Sequence, residues 1–384
     1  MANTLVYLDY AATTPVDELV FKEMAECMMM SGDFGNPASR SHIFGWKAEQ
    51  RVEAARKKVA DSVNCDVREI VWTSGATEAD NLAIKGVVEG GNAKPGHVIC
   101  SAIEHKAVLD SCAFLERLGC KVTRLKPGKC GVVEPHQVVE ALRDDTCLVS
   151  IMHVNNETGG IHDIESIGAL LQKHPAFFHV DAAQSVGKLP IDLQALNVDL
   201  MSFSAHKIYG PKGVGALYVN RSSGVKVAPQ IHGGGHERGM RSGTLPTHQL
   251  VGMGKALEIA SLRRGEDLDH VTGLRAAFLN RVLSEKGIGV NGDHGKQYPG
   301  IVNLHFTGVE GESMMLGLSG IAISSGSACT SASVEPSFVL KAMGIEDALA
   351  HSSLRFSFGR PTQLEEVVLV AEKVVDAYRR LTAR

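Results

Sequence analysis

Lys207 closes the tract Val198-Asp-Leu-Met-Ser-Phe-Ser-Ala-His-Lys207, and Asp181 follows the strand-like run Phe177-Phe-His-Val180. An amine and a carboxylate therefore stand at two strand ends. With His206 beside it and the glycine turn Gly210-Pro-Lys-Gly213 after it, Lys207 can form a Schiff base with an aldehyde cofactor. Pyridoxal 5'-phosphate is the aldehyde that suits the pair, because its pyridine nitrogen needs an anion to stay protonated and Asp181 supplies one. Alone, each residue has a plainer reading, a solvated lysine and a helix-capping aspartate. The combination carries the chemistry.

Other residues extend it. Ser74-Gly-Ala-Thr-Glu-Ala-Asp-Asn81 follows a strand and opens a helix, so its backbone amides, at Ala76 and Thr77 among others, and the Thr77 hydroxyl can hold a phosphate. A plain helix cap is the competing reading. Ser204 and His206 complete the cradle. His105, after another strand, can stack on the pyridine face and move protons. Asn156 and Gln184 are neutral partners suited to the cofactor's phenolic oxygen, although either could satisfy backbone groups instead. Arg355 can grip an amino acid's carboxylate through two parallel hydrogen bonds, with a structural salt bridge as the alternative. Within 230–244, His232 and His236 lie four apart, but the intervening glycines argue against a rigid metal-binding helix. A loop presenting Arg241 and Thr244 to a phosphate, on a neighbouring subunit, is the better reading, and no metal site is expected.

Cys329 sits inside Ser324-Ser-Gly-Ser-Ala-Cys-Thr-Ser-Ala-Ser333. Neither core burial nor metal coordination explains a thiol among such small polar residues, so a nucleophile on a movable arm is expected. The other cysteines, from Cys27 to Cys147, lack CxxC pairing and read as small core residues in a reduced compartment. The run Met28-Met-Met30 reads as core filling at a helix end.

These residues need strands to place them. Runs at 70–73, 97–100, 148–152 and 177–180 alternate with helical segments, which predicts a βα pattern with a mostly parallel sheet. Ligands collect at the carboxyl ends of such strands, where Thr73, Asn156, Asp181 and Lys207 fall. Asp17 marks a helix start. Short strands at 301–306 and 354–358 and a helix over 364–381 form a smaller α+β domain. The expected division is 15–257 for the large cofactor domain, and 1–14 with 258–384 for the small one carrying the cysteine loop. The 384 residues, 44% of them hydrophobic, can bury a large core. A net charge of -4 and 5% aromatics give no footprint for direct nucleic-acid binding. Without a leader or a membrane-length apolar run, no membrane partner is expected and the location is cytoplasmic.

Taken together, Tyr7-Leu-Asp-Tyr-Ala-Ala-Thr-Thr-Pro15, Phe34-Gly-Asn-Pro-Ala-Ser-Arg-Ser-His42, the Lys207 and Asp181 motifs, Arg238-Gly-Met-Arg-Ser-Gly-Thr-Leu-Pro246 and the Cys329 loop resemble the cysteine desulfurases of the IscS/NifS type, class V aminotransferase-like enzymes of fold-type I. The resemblance covers nearly the whole chain. It implies that Lys207 bears pyridoxal phosphate, that Cys329 takes sulfur from L-cysteine as a persulfide and leaves alanine, and that Asn36 joins Asn156 and Arg355 around the substrate. It implies a homodimer, in which Thr244 reaches the phosphate of the other subunit's site, and a sulfur-acceptor protein. Ala205 departs from the family's glycine before the histidine. The chain ends at Arg384, short of the tail on which housekeeping members dock their cluster scaffold, so the expected acceptors include a carrier for tRNA thiolation or a DNA phosphorothioation system besides iron-sulfur assembly. A selenocysteine lyase and a noncatalytic scaffold are the rival readings.

Overall fold

The computed structural model describes residues 5–91, 96–325 and 335–383. The chain opens with β1 (Val6–Tyr7), α1 (Glu18–Ala25) and α2 (Ile43–Ser62). Asp17 caps α1, its carboxylate accepting the Leu19 amide at 2.8 Å. Strands and helices then alternate: β2 (Ile70–Thr73), α3 (Ala76–Gly90), β3 (His97–Ser101), α4 (Lys106–Arg117), β4 (Lys121–Leu125), α5 (Pro135–Ala141), β5 (Thr146–Ser150), α6 (Ile164–Leu171) and β6 (Phe177–Asp181). The strands β7 (Leu200–Ser204) and β8 (Gly215–Val219) follow without a helix between them.

These strands form a seven-stranded sheet in the order β2-β8-β7-β6-β5-β3-β4. Only β8 runs against the rest. The expected parallel α/β layer is therefore present, and strand periodicity explains how it is covered. Ile70, Trp72, Ile99, Val149, Met201 and Phe203 face one apolar cluster with α2, whereas Val71, Val98, Leu148 and Leu200 face another with α3 and α4. Helices on both faces leave these strands buried throughout.

The helix α7 (Thr247–Val282) is 36 residues long, about 54 Å at 1.5 Å per residue. Its first half packs Leu250, Met253 and Leu257 on the large sheet; its second half sends Val271, Leu274 and Phe278 into a separate cluster. That cluster lies on the remaining elements: β9 (Ile288–Val290), β10 (Ile301–Phe306), α8 (Gly311–Gly317), β11 (Ile321–Ala322), β12 (Ser324–Ser325), α9 (Phe338–Ala342), α10 (Asp347–His351), β13 (Leu354–Ser357) and α11 (Leu364–Thr382). A four-stranded antiparallel sheet, β12-β13-β10-β9, is its base. The N-terminal segment joins there, with β1 parallel to β11 and Val6, Leu8 and Ala11 in the same cluster.

Local differences from the sequence reading have physical causes. The fifth strand ends at Ser150 rather than 152, because the Met152 amide turns to the Glu104 carboxylate at 2.8 Å. The methionine run is not core filling. Met28, Met29 and Met30 are 60, 59 and 77% exposed, since α1 stops at Ala25 and the turn after it buries only Cys27. Among the cysteines, Cys27, Cys100, Cys112 and Cys120 are buried, whereas Cys65, Cys130 and Cys147 are half-buried. Among the described residues, no helix is long and apolar enough to cross a membrane.

Candidate active site

Since β2 and β7 both oppose β8, the strands β2, β3, β5, β6 and β7 all point the same way. Their carboxyl ends open on one cavity of about 800 Å³. Lys207, Asp181, His105 and Arg355 line it, as do Ala76, Thr77, Asn156, Gln184, Ser204 and His206.

Lys207 ends a single turn of 3₁₀ helix, 205–207, directly after β7. The turn is held from the N-terminal segment: the Thr14 amide and hydroxyl both donate to the His206 carbonyl, at 2.9 and 3.0 Å. The Lys207 ammonium donates to the carbonyls of Ala11 and Ala12 at 2.6 and 2.7 Å. Ala205 fits where the family has glycine because its buried methyl faces Gly210, where a Cβ would come within 2.9 Å. His206 contacts the Thr13 hydroxyl at 3.1 Å, and burial, with Lys207 beside it, pushes its imidazole down to about 4.

Asp181 is 5% exposed and accepts the Ala183 amide at 2.9 Å. Burial raises its carboxyl, while that amide, His105 and Lys207 draw it back. His105 caps α4 by accepting the Ala107 amide on Nδ1 at 3.2 Å, so the neutral ring carries its proton on Nε2. Burial lowers the His105 imidazole, opposed by Asp181.

The expected phosphate cradle is the start of α3, whose first turn no described side chain caps. Gly75 before it has φ of 152° with open space where a Cβ would be. The Glu78 carboxylate accepts the Ser74 amide at 2.8 Å and is itself paired with Arg241 at 2.8 Å. Arg241 thus reaches the rim of its own chain's cradle.

On the opposite side, Arg355 donates from Nη1 to the Asn156 carbonyl and from Nη2 to Asp9, both at 2.8 Å. Its Nε is buried and has no partner among the described residues. Asp9 also accepts the Ser324 hydroxyl at 3.0 Å. Sequence reasoning missed Asp9, although it lies in the Tyr7 motif, and missed Glu157, next to Asn156. The Glu157 carboxyl lines the cavity, accepts the Ser337 hydroxyl and is pushed up to about 7 by burial.

Not every expected residue converges. Asn36 is exposed, its side chain accepting the Ala38 amide at 2.9 Å, and Thr244 is exposed as well; neither lines this cavity. Cys329 lies outside the described residues, although Ser325 before its loop and Glu335 after it both line the cavity. His232 and His236 join no metal cluster, since among the described residues no group of three or more ligating side chains exists.

The residues present fit pyridoxal phosphate. The cavity has the volume of a small-molecule site, an uncapped helix start suits a phosphate, and a buried carboxylate and a lysine stand at neighbouring strand exits. Known proteins agree. The family model for class-V aminotransferases matches residues 6–370. A cysteine desulfurase IscS of Pseudomonas putida is 59% identical over 376 residues, which cover 98% of this chain and 93% of that protein. A solved NifS-like protein superposes with a TM-score of 0.91 at 36% identity, covering 98% of this chain and 100% of its own. SspA, solved in complex with cysteine, gives 0.83 at 39% identity, covering 92 and 99%. The chain belongs to the class-V aminotransferase family, among its pyridoxal phosphate-dependent cysteine desulfurases.

Proposed function

We propose that the chain converts L-cysteine to L-alanine and carries the sulfur as a persulfide on Cys329. The C–S bond of the substrate breaks and an S–S bond to the Cys329 thiolate forms. The electron pair of the broken bond stays with the substrate's carbon skeleton, which takes up protons to become alanine. The observation that carries this is the meeting of Lys207, Asp181 and Arg355 on one cavity whose lining includes both flanks of the Cys329 loop.

Lys207 would hold the cofactor through its amine, Asp181 its ring nitrogen and His105 its ring face. The Ala76 and Thr77 amides with Ser204 and His206 would take the phosphate, and Asn156 and Gln184 the phenolic oxygen. Bound there, pyridoxal phosphate draws electrons from the substrate's α-carbon. Lys207 moves the α-proton, Arg355 and Asn156 orient the carboxylate, and His105 takes a thiol proton. The cysteine bound by SspA supports L-cysteine as substrate.

A homodimer is part of this reading. Phe21, Met28, Met30, Phe44 and Trp46, which flank Asn36 in the sequence, are all exposed apolar side chains that a second copy would cover. Asn36 and Thr244, both outside their own cavity, then serve the partner's site, with Asn36 at the substrate and Thr244 at the phosphate. The two-domain division at 257 is supported by the separate apolar clusters. The unpaired cysteines support the cytoplasm, and the acceptor is a scaffold or carrier for iron-sulfur assembly, tRNA thiolation or DNA phosphorothioation.

The test is alanine and sulfide release from L-cysteine by the wild type, Lys207→Ala and Cys329→Ser. Alanine that requires both residues supports the persulfide route. Alanine formed equally well by Cys329→Ser overturns it and favours a lyase.

A further inference from the structure

We infer that Lys188 is a positioning residue for this reaction: it fixes which end of the Gln184 amide faces the cavity, so that Gln184 presents an N–H donor to the bound cofactor. This rests on the reading of Gln184 as a partner of the phenolic oxygen.

The two residues stand four apart in a helical turn, with the Lys188 amide donating to the Ser185 carbonyl and the Val186 amide to Ala182, at 3.0 and 2.9 Å. Gly187 lets the turn close inward. Its φ is +73°, and a Cβ there would lie 3.1 Å from both Ala260 and Ile208. Lys188 is thereby aimed into the protein rather than at solvent.

Its ammonium donates to Gln184 Oε1 at 2.9 Å and lies 5.5 Å from the Tyr298 ring. The other end of the amide donates from Nε2 to the Ala11 carbonyl at 2.8 Å, the carbonyl that Lys207 also uses. Two independent partners thus assign the amide. Rotated by a half turn, it would set an NH₂ against an ammonium and an oxygen against a carbonyl, two repulsive contacts in place of two bonds.

Among the described residues, no carboxylate pairs with Lys188, and its nearby charges are the cations Lys207 and Arg355. Burial and these cations push its amine down to about 7. A lysine kept in such a place for packing alone would be better replaced by an apolar residue. Its one polar task visible in the fold is the amide oxygen of Gln184, on the wall of the cavity.

The test compares holoenzyme of the wild type, Lys188→Met, Lys188→Arg, Gln184→Ala and the Gln184→Ala/Lys188→Met double variant. The readouts are the visible absorption band of the bound cofactor and its dissociation constant, measured by titrating pyridoxal phosphate into apoprotein. Lys188→Met is expected to shift the band and weaken binding about tenfold, Lys188→Arg to restore both, and Lys188→Met to add nothing once Gln184 is alanine. If Gln184→Ala shifts the band but Lys188→Met does not, or does so equally in both backgrounds, the inference fails while the Gln184 reading stands. If Gln184→Ala leaves both readouts unchanged, the underlying reading fails.

Discussion

The two walls of the cavity bury charge in opposite ways. Behind Asp181 lie Asp80 and Glu104, both fully buried, and among the described residues no hydrogen bond reaches either Asp80 oxygen or Glu104 Oε2. Burial raises both carboxyls, and the Asp181 charge raises them further. The nearby His179 imidazole, 3.6 Å from Asp80, is held neutral, pushed down to about 3 by burial. Around Lys207 the groups are basic, with their charged forms disfavoured. Lys188 stands at about 7 and His206 at about 4, each lowered by burial and then by Lys207. Acidic groups thus gather beside Asp181 and basic groups beside Lys207, while Arg355 pairs with Asp9 and Arg241 with Glu78 at 2.8 Å each. That separation suits a ligand with a cationic ring nitrogen at one end and anionic oxygens at the other. Elsewhere the same fold pairs a buried charge tightly. Arg56 grips Glu237 through two bonds of 2.6 and 2.9 Å, and Glu237 also accepts the Trp72 amide at 2.8 Å. Among the described residues, Asp80 has no such pair of bonds.

The largest break in this contrast comes from removing the central cation. Lys207→Ala is expected to lower alanine formation about 10⁴-fold, since on the proposed reading it removes both the cofactor anchor and the proton carrier. Steady-state rates with L-cysteine measure it. Next is the paired region. Glu237→Ala leaves the Arg56 guanidinium buried beside the Ile70 carbonyl with only the exposed Glu53 as its anion, and is expected to destabilise the fold by about 3 kcal/mol in urea unfolding. A loss below 1 kcal/mol would mean that water or Glu53 replaces the lost carboxylate. On the acidic wall, Asp181→Asn keeps the shape but loses the charge proposed to face the ring nitrogen. A fall in kcat/KM of about 10²-fold is expected, with the melting temperature unchanged or raised.

The acidic wall also marks where sequence reading stops. Asp181 and Lys207 were legible because one ends a strand and the other lies a single turn beyond the next, and strand direction alone sends both to one edge of the sheet. Thr77 and Ala76 were legible from the strand, glycine and helix order around Gly75. Asp80 and Glu104 were not, because an aspartate in a helix and a glutamate before His105 have ordinary surface readings until the packing of α3 and α4 against the sheet buries them. Asp9 and Lys188 were hidden for a different reason. Their partners, Arg355 and Gln184, gain meaning only when the N-terminal segment folds back over the β7 exit. The exposed Met28-Met-Met30 run misled because apolar content alone does not tell a buried position from an exposed one.

The smallest expected effect tests the acidic wall most directly. The Asp80 carboxyl, raised by burial, keeps its proton in the folded state at pH values where the unfolded chain has released it. The folded state then binds more protons than the unfolded one, so Asp80 makes stability fall as pH rises above about 4. Asp80→Asn is neutral at every pH and of similar shape, and removes that dependence. The variant is expected to match the wild type near pH 4 and to melt about 2 °C higher at pH 7, a gain of about 1 kcal/mol. A constant gap at all pH values would show that Asp80 does not exchange a proton on unfolding. A gap of opposite sign would show that its charge is retained and paired in the fold. In that case the acidic wall would no longer differ in kind from the Arg56 and Glu237 pair.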